Sequence, residues 1–158
     1  MAVSNKRLRI ILSNSNLPFS YGVRLVTWCH WSHAGIIMDD DRVIESTFMH
    51  HGVKIDTLNN FKSRAKDWMI IEIDVADREA ILKAAVKQLD KPYDWTALFG
   101  ILFHNRDWQE DDMWFCFELV AFACQEGGTS IVKPSRIHRV TGPDILAYPH
   151  RTIAVHYA

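Results

Sequence analysis

Little in this chain interrupts it or staples it together. Its 158 residues include only 7 glycines, 5 prolines and 3 cysteines, which excludes a collagen-like repeat, a low-complexity chain and a disulfide scaffold. An excess of one charge is also missing. Eighteen Lys and Arg stand against nineteen Asp and Glu, a formal net charge of −1, so no global field draws the protein to nucleic acid or anionic lipid. No window approaches the ~18 consecutive apolar residues of a membrane span. Near the N-terminus the apolar run Ile10-Ile11-Leu12 is too short for a secretory signal, which needs roughly 7–15 such residues. These absences predict a cytoplasmic protein with reduced cysteines, no nucleic-acid partner and no integral membrane association. Aromatics, by contrast, are plentiful. Six Trp and eight Phe predict aromatic packing and an aromatic-walled pocket. With 48% hydrophobic and 23% charged residues, one domain over residues 1–158 with a sizeable core is expected.

Strands come first along the chain. Leu8 to Leu12 reads as a strand ended by turn-forming Ser13-Asn14-Ser15-Asn16, and Phe19 to Trp31 as a mixed stretch compatible with a short helix. His33–Met38 and Arg42–Phe48 form the clearest hairpin, around Asp39-Asp40-Asp41, followed by strands at Gly52–Ile55 and Trp68–Ile73. The period then changes. Ala80, Ile81, Ala84, Ala85 and Leu89 follow helical spacing behind an Asp77 N-cap, and Lys91-Pro92 ends that helix. An apolar segment from Thr96 to Phe103 and a polar loop from His104 to Asp112 precede a helix from about Phe115 to Glu126, stopped by Gly127-Gly128. Thr141-Gly142-Pro143-Asp144 has the form of a capping box on a last short helix, and Thr152–Tyr157 alternates like a strand. The expected class is α+β, an antiparallel sheet packed with helices.

Cys116 is the most informative residue. It opens the predicted helix Cys116 to Ala123, and a helix N-terminus favours an anion such as a thiolate and offers free N–H groups to an oxyanion. The bland alternative is a buried cysteine that happens to begin a helix. His33 and Glu45 tilt the balance. With a three-residue turn centred on Asp40, position 35 faces 45 and position 33 faces 47. His33 and Glu45 are then diagonal neighbours on one face. A two-residue turn would put them on opposite faces. In the first register the three residues match the roles of nucleophile, base and orienter.

Trp31-Ser32-His33-Ala34-Gly35-Ile36, Val43-Ile44-Glu45, Gly52-Val53, Lys91-Pro92-Tyr93-Asp94 and Phe115-Cys116-Phe117-Glu118-Leu119-Val120 follow one another in that order, with Gly142-Pro143-Asp144-Ile145-Leu146 near the end. Over roughly residues 8 to 155 the chain thereby resembles the circularly permuted papain-fold cysteine hydrolases of the NlpC superfamily, the YiiX/YebB-like branch. In that branch the His strand precedes the Cys helix. The resemblance implies a nucleophile at Cys116, a general base at His33, an orienting residue at Glu45 and a site-lining, substrate-binding tyrosine at Tyr93. It also implies an acyl-enzyme route to an amide or ester bond. The implied substrates are a peptidoglycan-type peptide, an isopeptide or a lipid-like acyl compound, with no cofactor. The chain departs from the family pattern twice. Phe117 follows the cysteine where a small residue is usual, which bears on the pocket and the oxyanion arrangement, and Arg9-Ile10-Ile11 replaces a Gly-Asp pair in the first strand.

The other candidates read as supporting residues. His30, His50 and His51 are expected in loops, and Cys29 and Cys124 in the core. Cys124 lies about 80° around the helix from Cys116. Asp107, Glu110, Asp111 and Asp112 form an acidic run before Cys116, solvated or, at a site's mouth, favouring cationic substrates. Glu118 is expected to make a structural hydrogen bond or ion pair. Two other classes compete with a hydrolase or acyltransferase. One is a non-catalytic binding module of the same fold. The other is a metal-binding regulator built on Cys29, His30 and His33, which thiol spacing without any C-x-x-C disfavours.

Overall fold

A computed structural model describes residues 6–94 and 114–158. Six antiparallel strands form one sheet: β1 (Arg7–Asn14), β2 (His33–Ile37), β3 (Arg42–Thr47), β4 (Gly52–Thr57), β5 (Asp67–Asp74) and β6 (Arg151–His156), in the order β4-β3-β2-β1-β5-β6. The described helices are α1 (Pro18–Thr27), α2 (Leu58–Arg64), α3 (Arg78–Val86), α4 (Cys116–Glu126) and α5 (Gly142–Ala147). None of the described helices is long and apolar enough to cross a membrane.

The two-residue period of β1 explains how helices cover both faces of this sheet. Leu8, Ile10 and Leu12 join Ile36, Ile44 and Ile71 in a large core with α3 and α4. Ile11 turns the other way, meeting Ile37, Val43 and Ile70 beneath Leu58 and Phe61 of α2. Odd-numbered residues of β2 and β3 therefore face α2, and His33 and Glu45 are among them.

The hairpin takes the three-residue turn. Gly35 pairs with Glu45, Ile36 with Ile44 and Ile37 with Val43, while the Met38 N–H closes onto the Arg42 carbonyl at 2.7 Å. Asp77 caps α3 by accepting from the Ala80 N–H at 3.0 Å, and the Asp144 carboxylate accepts from the Thr141 N–H at 2.8 Å at the start of α5. Other boundaries differ from expectation. Ser13 and Asn14 remain in β1, paired with Trp68 and Asp67, because the ladder and the buried Asn14 side chain override their turn preference. The expected helix to Leu89 ends at Val86 and relaxes into a turn that reaches Asp90. α2 is an element that hydrophobic periodicity alone did not reveal. Thr57 caps it by accepting from the Asn60 N–H at 3.1 Å. The apolar segment Thr96–Phe103 and the acidic run from Asp107 to Asp112 lie outside the described residues.

Gly52 joins the hairpin to the segment that carries Tyr93. Its φ is +146°, and a Cβ there would sit 2.1 Å from the Lys91 carbonyl oxygen. That close approach lets the Val53 N–H donate to the Lys91 carbonyl at 2.9 Å, and the Asp90 N–H to the Val53 carbonyl at 3.0 Å. Gly52→Ala should therefore cost at least about 2 kcal/mol, from an unfavourable φ together with backbone overlap. Urea denaturation of the two proteins measures it, and an unchanged midpoint would contradict the account.

Candidate active site

His33 is the first residue of β2, at the end of the sheet. It is thus within reach of α2 on one face and of the N-terminus of α4 on the other. Its Nε2 lies 2.5 Å from Glu45 Oε2, which makes Glu45 the acceptor of an Nε2–H. The ring is electrostatically coupled to Cys116, and with Nε2 engaged, Nδ1 is the nitrogen available to the sulfur. Phe61 of α2 stacks on the imidazole, centroids 5.3 Å apart and planes 17° from parallel. Cys116 is the first residue of α4 and only 1% exposed, with Sγ 3.9 Å from the Ser32 carbonyl oxygen. The fold thus brings Cys116 beside Ser32, the neighbour of His33, and binds His33 to Glu45.

Burial and charge act in opposite directions here. Burial alone would push His33 down. The negative charge of Cys116 and its hydrogen bond, then the hydrogen bond and charge of Glu45, outweigh burial and hold the imidazole up at about 10. Glu45 is fully buried. Burial would raise its carboxyl, but the hydrogen bond and charge of His33, then the charge and hydrogen bond of Arg64, bring it below the ordinary carboxylate range.

Tyr93 is 3% exposed and lines, with His33, an open cavity of about 70 Å³. Its phenol is pushed up by burial and by the charges of Cys116, Glu118 and Asp94. Phe61 and Arg64 line the same cavity, as do Leu17, Phe19, Phe48 and Met49. The wall next to the imidazole is therefore largely apolar and aromatic.

The remaining candidates fall into structural places. Phe117 does not narrow the cleft. It is fully buried, packs against Phe115 with centroids 5.6 Å apart, and reaches toward Gly142. The reason is its helical position, one residue beyond Cys116 and so turned by about 100° into the core. Glu118 accepts from the Phe115 N–H at 3.4 Å, and burial and the Asp94 charge push its carboxyl up to about 9. Cys124 is core, its thiol pushed up to about 12 by burial, and Cys29 is half-buried beside Gly142. His30 is not a plain loop residue. Its Nε2 lies 2.8 Å from Asp67 and 2.9 Å from the Asn14 side chain. Asp67 is held down at about 2 against its burial by Asn14, the Ala158 N–H and His30. Cys29, His30 and His33 thus turn to different partners, and among the described residues no group of three His, Cys, Asp or Glu is arranged to hold a metal. Sequence reasoning missed Arg64, Asp56 and Phe61. The Thr57 cap followed by apolar Leu58 and Phe61 and basic Lys62 and Arg64 was the available signal.

With this geometry in view, the comparisons are informative. The profile of the permuted papain-like amidase family, YaeF/YiiX, C92, matches residues 9–144. The chain belongs to that family. The crystal structure of the metalloprotein yiiX from Escherichia coli O157:H7 superposes with a TM-score of 0.73 at 16% identity, covering 98% of this chain and 99% of that one. At that identity the likeness establishes the permuted papain-like fold. The metal belongs to the description of that protein, and the described residues here do not fit one. No curated protein sequence matches the chain.

The His33 ring should be protonated throughout neutral pH. An ordinary imidazole titrates near 6.5, and this one is held up at about 10. NMR titration of the ring should show no midpoint between pH about 6 and 8. Glu45→Gln removes one of the raising causes, so the midpoint should fall. A wild-type midpoint near that of free imidazole would contradict the assignment.

Proposed function

We propose that the chain is a cysteine amidase in which Cys116 is the nucleophile, His33 the general base and acid, and Glu45 the residue that orients His33. The observation that carries this reading is the His33 imidazole bound to a buried carboxylate and electrostatically coupled to Cys116 at the first residue of α4. Membership of a papain-like amidase family supports it. The thiolate attacks the substrate carbonyl carbon, and the tetrahedral oxyanion is held by first-turn N–H groups of α4, which no intrahelical carbonyl can satisfy. As the C–N bond breaks, Nδ1–H of His33 protonates the departing amine, leaving a thioester on Cys116. Water then attacks the thioester carbonyl, giving its proton to Nδ1, and the thiolate is released with the acid product. Glu45 accepts from Nε2–H throughout, so Nδ1 remains the nitrogen that exchanges protons.

The substrate classes we assign are a peptidoglycan-type peptide, an isopeptide or a lipid-like acyl compound, with the acyl side against Tyr93 and the apolar wall. Acyl transfer uses the same residues when an amine or alcohol replaces water. On this reading the chain acts in the cytoplasm as an NlpC-type permuted hydrolase. One observation favours a binding module instead, the 1% exposure of Cys116. Thiol chemistry separates the two readings.

Iodoacetamide at pH about 6.5 should label Cys116 before Cys29 and Cys124, because those two thiols are pushed up by burial. Peptide mapping that finds either of the others first would favour the binding module. On an amide substrate found by library profiling, Cys116→Ala and His33→Ala should each lower kcat by about a thousandfold or more, and the double variant should be scarcely worse than either. Additive losses would show that the two residues do not act as a unit.

A further inference from the structure

Arg64 ends α2, and its guanidinium crosses to the buried face of β3. Nη2 donates to Glu45 Oε1 at 2.5 Å and lies 3.3 Å from Asp56 Oδ2, while Nε donates to the Asn60 carbonyl at 3.3 Å. The two oxygens of Glu45 are thus divided, one to His33 and one to Arg64, and the carboxylate has no exposure to water. We propose that Arg64 is a positioning residue: braced by Asp56, it holds the Glu45 carboxylate so that His33 Nε2 stays on Oε2 and Nδ1 stays on Cys116.

The physical need is specific. A carboxylate buried with a single imidazole partner can take the proton of that partner and become neutral, which costs less than an incompletely paired buried charge. A guanidinium on the second oxygen removes that escape and fixes the carboxylate plane. The same helix also contacts the ring, since Phe61 stacks on the His33 imidazole and has the Arg64 guanidinium 5.5 Å from its own centroid. Arg64 Nη2 and His33 Nε2 each bond a different oxygen of Glu45, so the carboxylate is the group that links them. The groups facing Glu45 are His33 from β2, Arg64 from α2, and Lys54 and Asp56 from β4, with Lys54 directly across the ladder. Cys116 of α4 lies beyond His33.

This inference rests on the Cys116–His33 reading, and the test separates the two. The rate of Cys116 alkylation by iodoacetamide is followed against pH in the wild type, Arg64→Met, Arg64→Lys, Glu45→Gln and the Arg64→Met, Glu45→Gln double variant. In the wild type the rate should be nearly flat from pH about 6.5 to 9, as for a thiolate paired with an imidazolium. Arg64→Met should be about tenfold slower at pH 6.5 and catch up near pH 9, where an ordinary thiol ionises without a partner. Arg64→Lys should recover most of the neutral-pH rate, and the double variant should match Glu45→Gln alone. If Arg64→Met does not fold, Arg64→Gln, which keeps a donor for Glu45, carries the same test with a smaller loss. A folded Arg64 variant with the wild-type profile overturns the proposal, as does a loss that adds to that of Glu45→Gln. A wild-type Cys116 that reacts no faster than an ordinary thiol overturns the Cys116–His33 reading, and this inference falls with it.

Discussion

The buried Glu45 carboxylate is the constraint around which the site is organised. A carboxylate with no exposure is tolerable only if its oxygens are matched by strong donors, and here His33 and Arg64 supply them from two different elements. That requirement ties the hairpin to α2 and, through the imidazole, to Cys116 at the start of α4. It also sets the polarity of the ring. With Glu45 on Nε2, Nδ1 is the nitrogen left free for the proton transfer proposed above.

The sheet is the device that delivers these groups from its two faces to one place. β1 and β2 are central strands with apolar residues on both sides, so the α3/α4 layer and α2 each pack against them. His33 stands at the first position of β2, where both layers reach the end of the sheet. A histidine deeper in the strand would face α2 alone. Tyr93 arrives by a third route, through the backbone bonds that hold Lys91 and Asp90 against β4, a contact open only because Gly52 lacks a Cβ.

Only 16% identity remains between this chain and the yiiX structure that shares its fold over nearly the whole length. Phe117 illustrates why so much change is tolerable. It follows Cys116, where the resemblance led to the expectation of a small residue, yet its ring is absorbed among Phe115, Cys29 and Gly142 rather than by the cleft. Gly142 has no side chain where Phe117 and Cys29 meet it, so the larger ring is accommodated at a distance from the chemistry.

Local signals in the amino-acid sequence determined the α+β class, the Asp77 cap, the end of α4 at Gly127 and the position of Cys116 at a helix start. They also determined the hairpin, although its register depended on a turn length that three consecutive aspartates leave open. Once that turn has three residues, the alternation of side chains puts His33 and Glu45 on one face without further help. Tertiary structure alone decided that Asn14 belongs to a strand and binds Asp67 and His30, that Phe117 points into the core, and that Cys116 is almost wholly buried. It also decided the roles of α2, whose seven residues are too few for a strong periodic pattern, and of Arg64 and Asp56. The reason is physical. Caps, turns and amphipathic periods are interactions between residues a few positions apart, whereas the pairing of a buried charge is settled by whichever distant groups the packed sheet and helices bring within hydrogen-bond reach.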